Sequence, residues 1–124
     1  MAFTVDDNGN ITLIQGDSGE YTVTGIEVMT EANYATYFAI QDENRKPVGN
    51  EVQSLVSNGM STFNITASLT DNLTVPNDQE TATYYFGIKL VNTVTGEEDT
   101  LMIAGGTFGT LNTITVYPRK VKGA

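Results

Sequence analysis

An all-β domain built as an antiparallel sandwich is the architecture this sequence predicts. Three observations carry it. Apolar and polar residues alternate with a period of two along most of the chain, as strands with one dry and one wet face require. Turn-forming residues recur at short, fairly regular intervals. No stretch holds the spacing of an amphipathic helix over any length.

The elements follow in order. Ile11 to Gln15 and Tyr21 to Thr24 alternate, with Gly16-Asp17-Ser18-Gly19 as the turn between them. Thr36 to Gln41 is apolar on both faces, as a central strand is. Asn44-Arg45-Lys46-Pro47 reverses the chain, and Val52 to Ser57 is a further strand candidate. Asn8-Gly9 and Asn58-Gly59 can each supply the two successive positive-φ residues of a tight hairpin turn. In Phe63 to Leu69 every odd position is apolar and every even one polar. Ser68 to Leu73 allows one short helical turn before the reversal at Pro76-Asn77-Asp78. Ala82 to Val91 is the longest run and puts Tyr84, Phe86, Ile88 and Leu90 on one side. Thr100 to Ala104, after a turn at Thr95-Gly96, and Thr113 to Tyr117 complete the set. About eight or nine short strands without crossover helices make a sandwich, immunoglobulin-like in outline, with a small closed β-barrel as the alternative. The expected core is Leu13, Val23, Phe38, Ile40, Phe63, Ile65, Tyr84, Phe86, Ile88, Leu101, Ile103 and Ile114.

At 124 residues the chain is read as a single domain over 1–117 followed by a polar, basic tail over 118–124. It has no Cys, so neither disulfides nor thiolate ligands can form. Fifteen acidic residues against six basic ones give a net charge of −9. Three of the basic residues, Arg119, Lys120 and Lys122, lie in the tail, so the body is more acidic still. That field repels phosphate backbones and anionic lipid, which argues against nucleic-acid and membrane partners. The stretch Met1 to Asp7 lacks the basic and apolar regions of a signal peptide, and no apolar run has the length of a membrane span. The chain is therefore expected to stay where it is made or to leave with a larger assembly.

Chemistry-bearing motifs are few. Gly16-Asp17-Ser18-Gly19 has the form of a serine-protease nucleophile segment, but a serine hydroxyl needs a base and the chain has no His. The turn reading is preferred, and no catalytic residue is assigned. Asp6, Asn8, Asn10 and Asp17 have part of the spacing of a calcium loop. Ile11, however, occupies the position that needs Gly, and the closing Glu is missing. Glu97-Glu98-Asp99 reads as a solvated loop, and neither a metal nor a cofactor is expected. The Asn-x-Thr triplets at Asn10, Asn64 and Asn72 reflect a chain rich in both residues. Met29, Met60 and Met102 are too scattered to form a cofactor box. Tyr85 shares the outer face of its strand with Lys89; with Tyr117 these are the candidate surface-contact residues.

Four segments in order carry a resemblance. They are Ile11-Thr12-Leu13 leading into Gly16-Asp17; Tyr37-Phe38-Ala39-Ile40 through Pro47-Val48; Tyr84 to Lys89 followed by Glu98-Asp99-Thr100-Leu101; and Val116-Tyr117-Pro118. Together they resemble small phage and prophage β-sandwich domains related to the N-terminal domain of siphophage upper baseplate proteins and to head- and tail-fibre modules. The resemblance implies a structural, non-enzymatic role that fixes a fibre or receptor-binding protein to the virion. It further implies assembly in the bacterial host cytoplasm, other virion subunits as partners, and no catalytic residues. A homo-oligomer such as a trimer would suit a fibre base. Such baseplate proteins usually continue into a fibrous region, whereas this sequence stops at Ala124, as one domain of a longer protein or a short decoration subunit would. From the residues themselves, a carbohydrate- or receptor-binding module and a bacterial surface or adhesin domain remain the alternatives.

Overall fold

Burial follows the alternation of the sequence. The computed structural model describes residues 3–7, 9–102 and 112–118. Nine strands run through them: β1 (Thr4–Val5), β2 (Ile11–Ile14), β3 (Gly19–Val23), β4 (Tyr34–Gln41), β5 (Val52–Leu55), β6 (Ser61–Ile65), β7 (Ala82–Asn92), β8 (Glu98–Met102) and β9 (Thr113–Tyr117). In β6 the order is buried, exposed, buried, exposed, buried, and in β7 Tyr84, Phe86, Ile88 and Leu90 all point inward.

The strands form two unequal layers. The larger sheet has the order β1-β2-β9-β7-β4-β5, with β8 beside the later half of β7 on the edge whose first half β9 takes; the smaller pairs β3 with β6. The larger sheet curls about the core, so the all-β sandwich expected from the sequence also leans toward a barrel. Most pairs are antiparallel, but β2 runs parallel to β9, Ile11 opposite Ile114 and Leu13 opposite Val116. Period-two alternation marks which face of a strand is dry and is blind to strand direction, so this pairing left no signal.

Between the layers lies an aromatic cluster. Phe38 stacks on Phe86 with ring centroids 5.0 Å apart, while Phe63 and Tyr21 lie 5.6 and 5.9 Å from Phe38. Ile11, Leu13, Leu73, Ile88, Ile114 and Val116 close around the rings, each 1% exposed or less. Tyr21 enters this cluster with its polar tip satisfied, its hydroxyl donating to the Gly9 carbonyl at 2.9 Å. Burial pushes the Tyr21 phenol up to about 12, with the Asp6 carboxylate adding to the effect. Tyr84 is likewise held by its hydroxyl, which donates to the Thr74 carbonyl at 2.7 Å.

Local chemistry explains where strands stop. Alternation continues past Ile65 to Leu69, yet the chain turns into the single-turn helix α1 (Ala67–Thr70). Thr66 caps it, its side chain accepting from the Leu69 amide at 3.2 Å. Leu69 and Leu73, four residues apart, both remain buried, so helical spacing serves the same core. Asn58 and Gly59 adopt φ of 54° and 72°, and Ser57 and Met60 exchange amide hydrogen bonds of 2.8 and 2.9 Å across them. This is the tight turn that the Asn-Gly pair predicts. A Cβ on Gly59 would also meet the Ile26 carbonyl at 3.3 Å. Gly59→Ala is therefore expected to cost about 1–2 kcal/mol, read as a lower urea midpoint at unchanged slope.

One expected core residue is corrected. Leu101 is 37% exposed because the register shifts between Ile88 and Lys89: Ile88 faces Met102 and Lys89 faces Thr100. Leu101 is the extra residue of this bulge and is turned outward. Val23 is only partly buried, packing between the main cluster and a smaller one of Ile26, Val56 and Leu90. Ile103, Asn8 and the tail beyond Pro118 lie outside the described residues.

Candidate interaction surface

At one end of the sandwich three connections meet: 24–33, the turn at 56–60 and the turn at 93–97. Strand register brings them together, since Tyr34 faces Asn92 and Ala35 faces Leu55. Polar side chains then fasten them. The Glu31 carboxylate accepts from the Asn58 and Gly59 amides at 3.1 and 2.7 Å, and the Ile26 amide donates to the Gly59 carbonyl at 2.9 Å. The Asn33 carbonyl accepts from both the amide and the hydroxyl of Thr93, at 2.8 and 3.0 Å. Asn92 orders its own turn, its side-chain oxygen accepting from the Val94 and Thr95 amides.

On this fastened end the chain exposes apolar side chains. Met29 is fully exposed, Val94 and Leu55 are 73% and 72% exposed, and Met60 is exposed too. Single exposed apolar residues are ordinary, but several converging on one ordered surface mark a contact site. Each such side chain gains about 1.5–3 kcal/mol when a partner removes it from water. Sequence reading missed this convergence. Val94 did carry a signal, as an apolar residue at a turn position, but only the fold fastens its turn to the connection that carries Met29, through Asn33 and Thr93.

The three contact residues named from the sequence all lie on the outer face of the larger sheet, without meeting. Tyr85 is opposite Thr113 on β9, so Tyr117 lies four residues away, about 13 Å along the strand. Lys89 lies four residues from Tyr85 in the other direction. A single sugar ring cannot stack on both tyrosines at that separation. Tyr117 is exposed and Tyr85 half-buried. Lys89 instead meets Tyr37, its ammonium 5.6 Å from the ring centroid, with Glu51 and Glu98 at 3.8 and 3.7 Å. This exposed network fixes a cross-strand surface pair of modest energy.

The acidic motifs are used locally. Asp6 closes the first turn, its side chain accepting from the Asn10 amide at 2.9 Å, and Asn10 in turn accepts from the Thr113 amide at 3.0 Å. Glu98, opposite Val91, forms an ion pair with Lys89, whereas Glu97 accepts from the Thr95 hydroxyl. Gly16 to Gly19 is the turn between β2 and β3, with Gly16 at φ 88°. Among the described residues, no group of three His, Cys, Asp or Glu is placed to hold a metal ion, and no helix is long and apolar enough to cross a membrane. No protein-family model matches this chain, and no curated protein matches it.

Proposed function

We propose that this chain is a structural, non-enzymatic protein-binding module of a phage or prophage particle: a baseplate, tail-fibre or head-fibre component that attaches or decorates through protein–protein contacts. The observation that carries the reading is the fastened loop end with Met29, Leu55, Met60 and Val94 exposed, which a neighbouring virion subunit would cover. The four resembling segments supply the particle. The absence of His and Cys leaves the usual acid–base and thiol catalysts out of the chain, and its net charge of −9 favours protein partners over nucleic acid or membrane. Assembly would take place in the host cytoplasm, with the mature location in the virion.

The test is incorporation into particles. Particles induced from the encoding strain and purified on a density gradient are expected to contain the chain at fixed stoichiometry by mass spectrometry. A Met29→Ser, Val94→Ser double variant, with an unchanged melting temperature, is expected to be missing from them. Particles that lack the native chain, or that take up the double variant equally well, would overturn the proposal.

A further inference from the structure

The turn between β5 and β6 holds Asn58-Gly59, one of two places in the chain where Asn precedes Gly; the other is Asn8-Gly9. Such a pair can react with itself. With no side chain on the glycine, its amide nitrogen can approach the asparagine Cγ unhindered. Once a base has taken its proton, that nitrogen bonds to Cγ, the Cγ–Nδ2 bond breaks, and ammonia leaves with a proton from water. Water then opens the cyclic imide at either carbonyl, leaving aspartate or isoaspartate. The net exchange is water in and ammonia out, with no oxidation or reduction. Asn58 is exposed, so water and base can reach it.

The fold grips the nitrogen that must attack. The Gly59 amide donates to Glu31 Oε2 at 2.7 Å, and the Asn58 amide donates to Oε1 at 3.1 Å. A carboxylate this close holds the proton that the reaction must lose and repels the negative nitrogen left behind. The rest of the turn is tied as well. The Gly59 carbonyl accepts from the Ile26 amide at 2.9 Å, and Ser57 and Met60 bond to each other across the turn. Swinging the Gly59 nitrogen onto the Asn58 side chain strains or breaks these bonds. From this grip we propose that Asn58 is a self-modification site, whose conversion to aspartate or isoaspartate is held in check by Glu31 while the loop end stays fastened.

Conversion would in turn loosen the fastening. Either product puts a new carboxylate beside Glu31, and the two like charges weaken its hold on the turn. Isoaspartate also routes the main chain through the former side chain. The lengthened turn can no longer satisfy both Ser57–Met60 bonds at their present lengths. The end of the sandwich thus carries a slow, one-way release. This chemistry goes beyond the role of that end as a contact surface and needs no partner.

The test ages the full chain at mildly alkaline pH and follows positions 58 and 8 by peptide-mapping mass spectrometry. Asn58 is expected to convert about tenfold or more slowly in the folded chain than in the same chain unfolded in urea. Glu31→Ala should remove most of that difference, and Glu31→Gln, which keeps the shape without the charge, should move the rate the same way. Conversion at Asn8 is the internal reference and should not change in either variant. Thr93→Val, which removes a hydroxyl bond at the same end without touching Gly59, should leave Asn58 slow. Asn58→Asp, which builds in one product, is expected to speed amide exchange at Gly59 and Ile26 by about tenfold or more. Equal rates in the folded and unfolded chain, or a rate indifferent to both Glu31 variants, would overturn the proposal. So would a Thr93→Val effect as large as that of Glu31→Ala, or unchanged exchange in Asn58→Asp. None of these readouts involves a particle, so they succeed or fail independently of incorporation.

Discussion

Phe38→Ala is expected to destabilise the fold by about 3–5 kcal/mol, the range for deleting a buried aromatic ring. Phe38 is 1% exposed and touches three other rings, stacking on Phe86 and packing against Phe63 of the smaller sheet and Tyr21 of β3. Its removal opens a void between the two layers, which the surrounding strands cannot collapse to fill without breaking their register. Against a total of about 5–15 kcal/mol for ordinary domains, such a loss leaves the variant near its unfolding threshold at body temperature. Denaturant titration by circular dichroism measures it. Tyr117→Ala, outward on the same sheet, is the control and should stay within about 0.5 kcal/mol. A Phe38 loss no larger than the control's would remove the aromatic cluster from its place at the centre of the core.

The second large effect is alkaline unfolding. The Tyr21 phenol titrates near 10 when unfolded and near 12 in the fold, because burial and the Asp6 carboxylate both disfavour the phenolate. Below pH 10 both states keep the proton and stability is full. Between pH 10 and 12 the unfolded chain ionises first and binds fewer protons than the native one, so stability falls as pH rises. The expected loss across that window is roughly 2–3 kcal/mol, two pKa units at about 1.4 kcal/mol each. Tyr21→Phe gives up the hydrogen bond to Gly9, a cost of about 0.5–1.5 kcal/mol at neutral pH, but flattens this part of the alkaline limb. Urea midpoints between pH 8 and 12 compare the two; parallel limbs would show that Tyr21 is not the group responsible.

Strand existence was legible in the sequence wherever one face is dry. Phe63 and Ile65, or Tyr84 through Leu90, declare their inward side by spacing alone, and Asn58-Gly59 declares its turn by the backbone angles that only such pairs accept readily. What failed to show depends on neighbours far away in the chain. Leu101 keeps the alternation of a core residue and is turned out only because β8 slips against β7. Leu69 fits a continued strand and a capped helical turn equally well, and the Thr66 side chain decides between them. At the candidate surface, parity puts Tyr85 and Lys89 on one outer face, while the place of Tyr117 on that face and its distance from them follow only from the registers across the strands. The loop end was not legible as one surface, since the connections that carry Met29, Met60 and Val94 are fastened by Glu31 and Asn33, whose partners lie in other connections.

The parallel pairing of β2 with β9 governs the order in which the chain can be finished. β2 reaches the rest of its sheet only across β9, and the Thr113 amide binds a side chain 103 positions earlier. On the ribosome the β2–β9 ladder must therefore wait for residues 113–117 to emerge. Until then β2 has only the two-residue β1 beside it, Val5 opposite Ile11, and Leu13 has no partner across a ladder. Contacts of such long separation delay the rate-limiting step of folding and lengthen the exposure of a nascent apolar edge. A chain truncated before residue 113 forfeits one strand directly and strands its own beginning as well.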